Sequence, residues 1–265
     1  MSCIHSQAAV FDWSDFGTPI NNVDAGDSFL ITNVDDSGVD FTFTFDQSLD
    51  SRTYTSFNAI ISETNNAPES PLILTGNNNL EGLYTSNPLY LATESQFYQD
   101  EVTLTITTSA PVEFTNFIIG DIDRFLNPTP DNSYEDAVYI TSSLLGSNIG
   151  VHLTTTSSSI DITGNLAEAT SDGLLASSDV NSQVQVRTLG LVDTLTITYF
   201  NGDDTGGGLT GDGTQDGRSN SQWITFGSDD GLTNFSTVSA VPEPSSVGLI
   251  SLGGLVALSR RRRKA

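Results

Sequence analysis

Apolar residues alternate with threonine along several segments of this chain, and this alternation limits the possible folds more than any other feature. Phe41, Phe43 and Phe45 alternate with threonines, and the same pattern recurs at 102–107 and 195–199. A side-chain period of two gives each segment one apolar and one polar face, as in half-buried antiparallel strands. Threonine is β-branched and suits the outer face of a sheet. The sequence therefore predicts an all-β fold.

Further segments have the length and composition of strands, and turn residues such as Asp36-Ser37-Gly38 and Asp230-Gly231 separate them. No segment of the body has the pattern of an amphipathic helix. We therefore predict a single antiparallel β-sandwich of the jelly-roll type over residues 10–238, a size that one sandwich domain can reach. The additional predicted strands are 29–32, 59–62, 72–75, 112–120, 137–141, 151–154, 160–163, 184–187 and 222–226.

The chain is strongly acidic, with a formal net charge of −24 from 33 acidic and 9 basic residues. Five of the basic residues lie at 260–264, so the rest of the chain is more acidic still. Nucleic acid is excluded as a partner of such a body, because phosphate binding requires clustered lysine and arginine. Cys3 is the only cysteine. Disulfides and cysteine metal sites are therefore not expected.

The last 25 residues differ sharply in composition from the body. Pro242, Glu243 and Pro244 precede an apolar run at 247–259, and a basic cluster follows at once. About 20 apolar residues span the hydrocarbon core, so the run is short for a membrane helix. The basic end would stay on the cytoplasmic side and place the body outside. The alternative is a buried C-terminal segment with a solvated basic end. The predicted membrane stop is Arg260, Arg261, Arg262 and Arg263.

This order of tripeptide, apolar segment and arginine cluster resembles the PEP-CTERM sorting signal of bacterial exported proteins. The resemblance implies a linker at 239–246, a short transmembrane helix at 247–259 and a basic cytoplasmic end at 260–265. It also implies an exosortase, a membrane-embedded transpeptidase-like enzyme, as a partner. The protein would then reach the cell envelope or the exterior, anchored transiently or stably by its C-terminus.

The N-terminal residues resemble the end of a secretory signal peptide. Ser6, Gln7 and Ala8 give a Ser-x-Ala cleavage pattern, although no apolar stretch precedes them. We therefore expect residues 1–9 to be the remnant of a longer signal peptide whose start lies upstream of Met1. The alternative is a chain without a leader in which this pattern is coincidental.

An acidic segment follows the predicted strand at 112–120 and is the best candidate for a metal site. Asp121 and Asp123 would project to the same side of an extended chain. Calcium takes six to eight oxygen ligands and would neutralise them. The alternative is that Arg124 pairs with one acid while the other caps a turn. The candidate calcium ligands are Asp121, Asp123, Asp131, Glu135 and Asp136.

A second acidic stretch, 201–220, is rich in glycine and aspartate. It lacks the nine-residue period of calcium-binding repeats and the EF-hand glutamate, so a connecting loop is favoured over an ion site.

Enzymatic activity is not expected. His152 is the only histidine beyond residue 9, and no Gly-x-Ser-x-Gly nucleophile motif is present. We predict that His152 is an outward or hydrogen-bonded strand residue. A glycoside hydrolase needs only two suitably spaced carboxylates, but no pair stands out among the acids.

Two functional classes remain. The first is an exported surface or matrix protein that interacts with exopolysaccharide, with calcium as a candidate bridge. The second is a carbohydrate-binding module with a defined sugar site built from exposed rings. Core packing is the alternative for each ring. The candidate rings are Trp13, Tyr84, Tyr90, Tyr98 and Trp223.

Overall fold

The structure is a computed structural model, and it describes residues 5–12, 26–48, 72–75, 89–93, 101–125, 134–171, 173, 179–202, 222–226 and 232–239. Within these ranges the regular elements are β-strands and two single-turn 3-10 helices, at Val34–Asp36 and Val180–Ser182. No α-helix occurs in the described residues. The predicted apolar helix at 247–259 lies outside them.

Sixteen strands are described, and their lengths range from two residues to twenty. Their bounds are β1 His5–Asp12, β2 Ser28–Ile31, β3 Phe41–Ser48, β4 Leu72–Thr75, β5 Leu89–Thr93, β6 Glu101–Gly120, β7 Arg124–Phe125, β8 Tyr134–Leu144, β9 Ser147–Asn148, β10 Val151–Thr154, β11 Ile160–Thr163, β12 Leu166–Ala169, β13 Val184–Thr188, β14 Val192–Asn201, β15 Gln222–Phe226 and β16 Leu232–Ser239.

The strands form one hydrogen-bonded network whose main path runs β11-β12-β8-β14-β6-β15-β5-β4. β6 also pairs with β3, β13 and β16, and each of these pairings is antiparallel. The all-β, antiparallel prediction is confirmed. The jelly-roll sandwich stays a prediction.

The long strand β6 joins two segments, 102–107 and 112–120, that the sequence predicts as separate strands. Ala110 and Pro111 lie between them, and proline has no N–H to donate to a ladder. The register of β14 against β6 shifts at this point, between Val192 and Thr194. A β-bulge accommodates proline without ending the strand. β6 therefore runs unbroken and contacts neighbours along its whole length.

The core contains a cluster of buried phenylalanines from several strands. Phe41 packs edge-on against Phe114 and Phe235, with ring centroids 6.1 and 4.9 Å away. Phe11 of β1 stacks on Phe41 at 5.7 Å. The alternating apolar residues of β3, β6 and β14 all point into this core. The period-two pattern therefore gives the correct inward face for the central strands.

Strands β1, β5, β12 and β16, and the two-residue strands β7 and β9, are absent from the sequence prediction. In β16 the buried positions are Thr233, Phe235 and Thr237, so threonine occupies the inward face and hides the alternation. In β12 the buried residues are Ala167 and Ala169, and alanine is depleted in strands. The predicted strand at 59–62 lies outside the described residues. The 201–220 stretch does too, apart from its first two residues.

The chain divides into two compact units. One is Ala8–Thr237, and the other comprises Met1–Gln7 with Val238–Ala265. β1 begins at His5, and Ala9 is buried in the core one residue before the predicted domain start. The signal-peptide remnant at 1–9 stays a prediction.

Candidate functional site

Four of the five candidate calcium ligands lie together where β6 ends and β8 begins. Asp121 and Asp123 follow β6 directly, and Glu135 and Asp136 open β8. Their side chains are at most 9% exposed. These four residues are called the carboxylate cluster below. The fifth candidate, Asp131, lies outside the described residues.

Backbone pairing holds the two halves of the carboxylate cluster together. The Asp136 N–H donates to the Asp123 carbonyl oxygen at 2.9 Å. In return the Asp123 N–H donates to Asp136 Oδ2 at 3.1 Å. Each aspartate therefore fixes the other, and the segment after β6 is clamped to the start of β8.

Asp121 has a left-handed backbone, with a φ of 62°. The prediction that Asp121 and Asp123 project to one side assumes a regular extended chain, and Asp121 does not have that conformation. Aspartate is among the few residues that enter this region readily. The turn buries Ile122 completely between the two acids.

Tyr199 of β14 completes the hydrogen bonding of Asp136. Its hydroxyl donates to Asp136 Oδ1 at 2.6 Å, inside the protein. Burial raises the pKa of Asp136 well above its ordinary value, and the Asp123 carboxylate raises it further. The bond from Tyr199 acts in the opposite direction, because it stabilises the ionised form. Asp136 therefore holds a proton more firmly than an exposed aspartate does.

Arg124 is the cation beside the carboxylate cluster. Its Nη1 lies 3.8 Å from Glu135 Oε2 and donates to the Thr170 carbonyl oxygen at 3.2 Å. Arg124 and Glu135 also face each other in the β7–β8 ladder. The alternative from the sequence pairs Arg124 with Asp121 or Asp123, whereas the ion pair described here is with Glu135.

Gly202 lies between Glu135 and a further acid, Glu168, which is not part of the carboxylate cluster. A Cβ atom at Gly202 would lie 2.6 Å from Glu168 Oε1 and 2.7 Å from Glu135 Oε1. Both distances are too short for a real Cβ contact, so a side chain at this position would displace the ends of these two glutamates. The Gly202 N–H donates to the Glu135 carbonyl oxygen at 2.7 Å, which holds the end of β14 in place.

The described acids do not form a metal-binding group. Among the residues that the structure describes, no three His, Cys, Asp or Glu side chains are arranged to hold a metal ion. Within the carboxylate cluster, burial raises the pKa of Asp136 and so favours its protonated form, and Glu135 pairs with Arg124. Calcium binding stays a prediction.

Other predicted site residues have separate locations. His152 is exposed on β10, in agreement with the outward position expected for it. Tyr90 and Trp223 belong to β5 and β15, but their side chains lie outside the described part. The remaining candidates are also outside it, namely Trp13, Tyr84, Tyr98, Pro242, Glu243, Pro244, Arg260, Arg261, Arg262 and Arg263.

Sequence reasoning missed Tyr199 and Glu168 as members of this region. Tyr199 lies 63 positions from Asp136 and appears in the sequence as an ordinary core residue of an alternating strand. Only the β8–β14 register brings them together, with Tyr199 beside Val138. No local pattern carries that information.

The C-terminal region matches the PEP-CTERM protein-sorting motif over residues 240–264. The chain thus carries this sorting motif, as predicted from the tripeptide, the apolar run and the arginines. The motif indicates an exported protein sorted by an exosortase to the cell envelope or exterior. No characterised family matches the body. Across the described residues no helix is long and apolar enough for a membrane span.

No curated protein matches the sequence. Two similar solved structures are the adhesin domain of PrgB from Enterococcus faecalis, with and without bound DNA. The DNA-bound structure has a TM-score of 0.40 and 9% identity over 84% of this chain and 71% of that chain. The other has a TM-score of 0.38 and 9% identity over 87% of this chain and 69% of that chain. Likenesses this low do not bear on what this chain binds.

Proposed function

We propose that this chain is a non-enzymatic protein of the bacterial surface or extracellular matrix whose β-rich body interacts with exopolysaccharide. The sorting motif at 240–264 carries the proposal, because it gives the destination of the body. A stable antiparallel body with a large excess of acidic residues remains soluble there.

A non-enzymatic role is supported by the state of the described carboxylates. Glycoside hydrolysis needs two carboxyl groups on either side of a bound sugar. The carboxylate cluster is buried. The Asp136 carboxyl group accepts hydrogen bonds from the Asp123 N–H and the Tyr199 hydroxyl, and Glu135 lies beside Arg124. A sugar therefore cannot reach these groups in the structure as it stands.

A carbohydrate-binding module with one defined sugar site is the second candidate. An exposed ring on the outer surface favours it, since Tyr139 of β8 is 46% exposed. The tyrosine ring has an apolar face that can pack on a sugar and a hydroxyl group that remains solvated. The two candidates differ in whether one sugar class is selected.

The test is binding of the purified full chain to a glycan array and to alginate, each with calcium and with EDTA. Selective binding to one sugar class in EDTA supports the module. Binding only to alginate, and only with calcium, supports a matrix role through calcium bridges. Binding to neither excludes the interaction with polysaccharide and leaves export as the remaining conclusion.

Sorting is tested separately by mass spectrometry of the mature C-terminus from the natural host. A fragment that ends near Pro244 is expected if exosortase processes the tail. An intact C-terminus with Lys264 present contradicts processing and indicates a retained tail.

A further inference from the structure

Nine threonines form one continuous surface on the outer side of four adjacent strands. These strands are β3, β6, β14 and β8, and each threonine alternates with a residue of the core. All nine side chains are partly exposed. This surface, called the threonine face, consists of Thr42, Thr44, Thr103, Thr105, Thr107, Thr141, Thr194, Thr196 and Thr198.

Strand register arranges these threonines in rows across the sheet. Neighbouring strands lie about 4.8 Å apart, so a row that crosses four strands is roughly 15 Å long. Successive rows are two residues apart along each strand. The central row is Thr44, Thr105, Thr196 and Thr141; the flanking rows are Thr42, Thr107 and Thr194, and Asp46, Thr103, Thr198 and Tyr139.

The threonine face carries almost no charge, although the protein is strongly acidic. The chain has 33 acidic residues. Within the three paired rows only Asp46, at one corner, is charged. An ionic ligand would find no cation in these rows, and the single carboxylate of Asp46 is too few to hold a bridging metal. The surface fits an uncharged partner.

The hydroxyl groups of the central row are available to a ligand. Thr103 and Thr198 share one hydrogen bond, with 3.3 Å between their Oγ1 atoms. By contrast, Thr105 and Thr196 make no side-chain hydrogen bond within the described part of the chain. Each hydroxyl can donate one hydrogen bond and accept two. Sugar hydroxyls have the same dual character.

An exposed ring lies beside the rows. Tyr139 pairs with Thr198 across β8 and β14 and is 46% exposed. A ring in this position can pack against the C–H face of a sugar while the neighbouring hydroxyls bind its edge. The ring and the hydroxyl rows therefore suit one and the same kind of ligand.

We propose that the threonine face binds a neutral, extended β-linked polysaccharide, with Tyr139 stacked on one sugar and the central row contacting the next ones. A flat chain of this type lies along a row and places a hydroxylated ring over each strand. The inference rests on the proposed interaction with exopolysaccharide in the form of a module with one defined sugar site, and it assigns that site and its ligand class. Because the proposed ligand is uncharged, binding is expected not to require calcium.

Two variants of the full chain test this assignment against a matched control. Tyr139→Ala removes the ring, and the double variant Thr105→Val with Thr196→Val removes two hydroxyls but keeps side-chain shape. Thr154→Val makes the same change at an exposed position of β10, which is not one of the four strands of the threonine face. Binding is measured to insoluble cellulose and chitin in EDTA, and to alginate with calcium. Circular dichroism melting verifies that each variant is folded.

The parent chain and Thr154→Val are expected to bind cellulose or chitin equally well. The ring variant and the double variant are each expected to bind about tenfold more weakly. Equal binding by all four proteins overturns the site but leaves the interaction with polysaccharide in place. Binding to alginate alone, with calcium, overturns the neutral ligand while the proposed function stands.

Binding to none of the three polymers overturns both the site and the proposed function. Sedimentation of the parent chain provides one further outcome. If the double variant abolishes self-association of the chain and leaves cellulose and chitin binding unchanged, the face joins two copies and the assignment is wrong.

Discussion

The threonine face and the carboxylate cluster use the same strands for opposite purposes. On β8, Tyr139 and Thr141 belong to the partly exposed, uncharged face, whereas Asp136, a few residues earlier, is buried among other acids. On β14, Thr198 points outward and its neighbour Tyr199 donates to Asp136. The chain therefore keeps charge away from its hydroxyl surface and holds four carboxylates inside. We infer that stability depends on the cluster and that binding depends on the face.

The largest effect on stability is expected from Asp136→Ala. This change leaves the Tyr199 hydroxyl and the Asp123 N–H without their acceptor inside the protein, which costs about 3 kcal/mol of unfolding free energy. Asp136→Asn is the matched control, because it keeps an acceptor oxygen and loses less. Urea unfolding measures both. Equal losses in the two variants would show that the hydrogen bonds to Asp136 do not hold the region together.

Tyr199→Phe is expected to cost less, about 1.5 kcal/mol, because it removes one hydrogen bond to a carboxylate and keeps the ring in the core. It should also raise the pKa of Asp136 further, since that bond stabilises the ionised form. Thermal melting and NMR titration of the carboxyl carbon measure the two effects. If the pKa of Asp136 does not change in Tyr199→Phe, the Tyr199 hydroxyl does not stabilise the ionised form of Asp136.

The pH dependence of stability is the third prediction. The pKa of Asp136 is raised in the folded state, so the folded chain binds this proton more tightly than the unfolded chain does. The stabilisation from Asp136 is therefore complete below the unfolded pKa of about 3.9, and is lost as pH rises through the folded pKa. In Asp136→Asn, the unfolding free energy should not show this loss as pH rises, because asparagine does not titrate. If the unfolding free energies of the parent chain and Asp136→Asn depend on pH in the same way, Asp136 does not contribute the predicted pH dependence.

The smallest effect on stability is expected on the threonine face. Thr105→Val and Thr196→Val should each change the unfolding free energy by no more than about 0.5 kcal/mol, since valine is also β-branched and the sites are partly exposed. Ile106→Ala, on the buried side of β6, should lose about 3 kcal/mol and shows that the assay resolves such changes. A large loss of unfolding free energy in the valine variants would show that the hydroxyls of Thr105 and Thr196 stabilise the fold. The threonine face would then not differ from the carboxylate cluster in its effect on stability.

The sequence predicts the threonine face better than the carboxylate cluster, and the reason is physical. Alternation is a local property, so β3, β6 and β14 and their outer threonines follow from a period of two. The rows themselves also require the register between strands. The hydrogen bond from Tyr199 to Asp136 and the position of Glu168 near Glu135 arise only through long-range strand pairing. Proximity of Asp121 and Asp123 to Glu135 and Asp136 is predictable, but a left-handed turn at Asp121 is not.

Export is the central claim, and localisation in the natural host tests it most directly. Two tagged strains are compared by cell fractionation, one with the complete chain and one without residues 240–264. The complete chain is expected in the envelope or the medium, and the shortened chain should lose that distribution. A complete chain that stays in the cytosol, or an identical distribution of the two, would contradict the account.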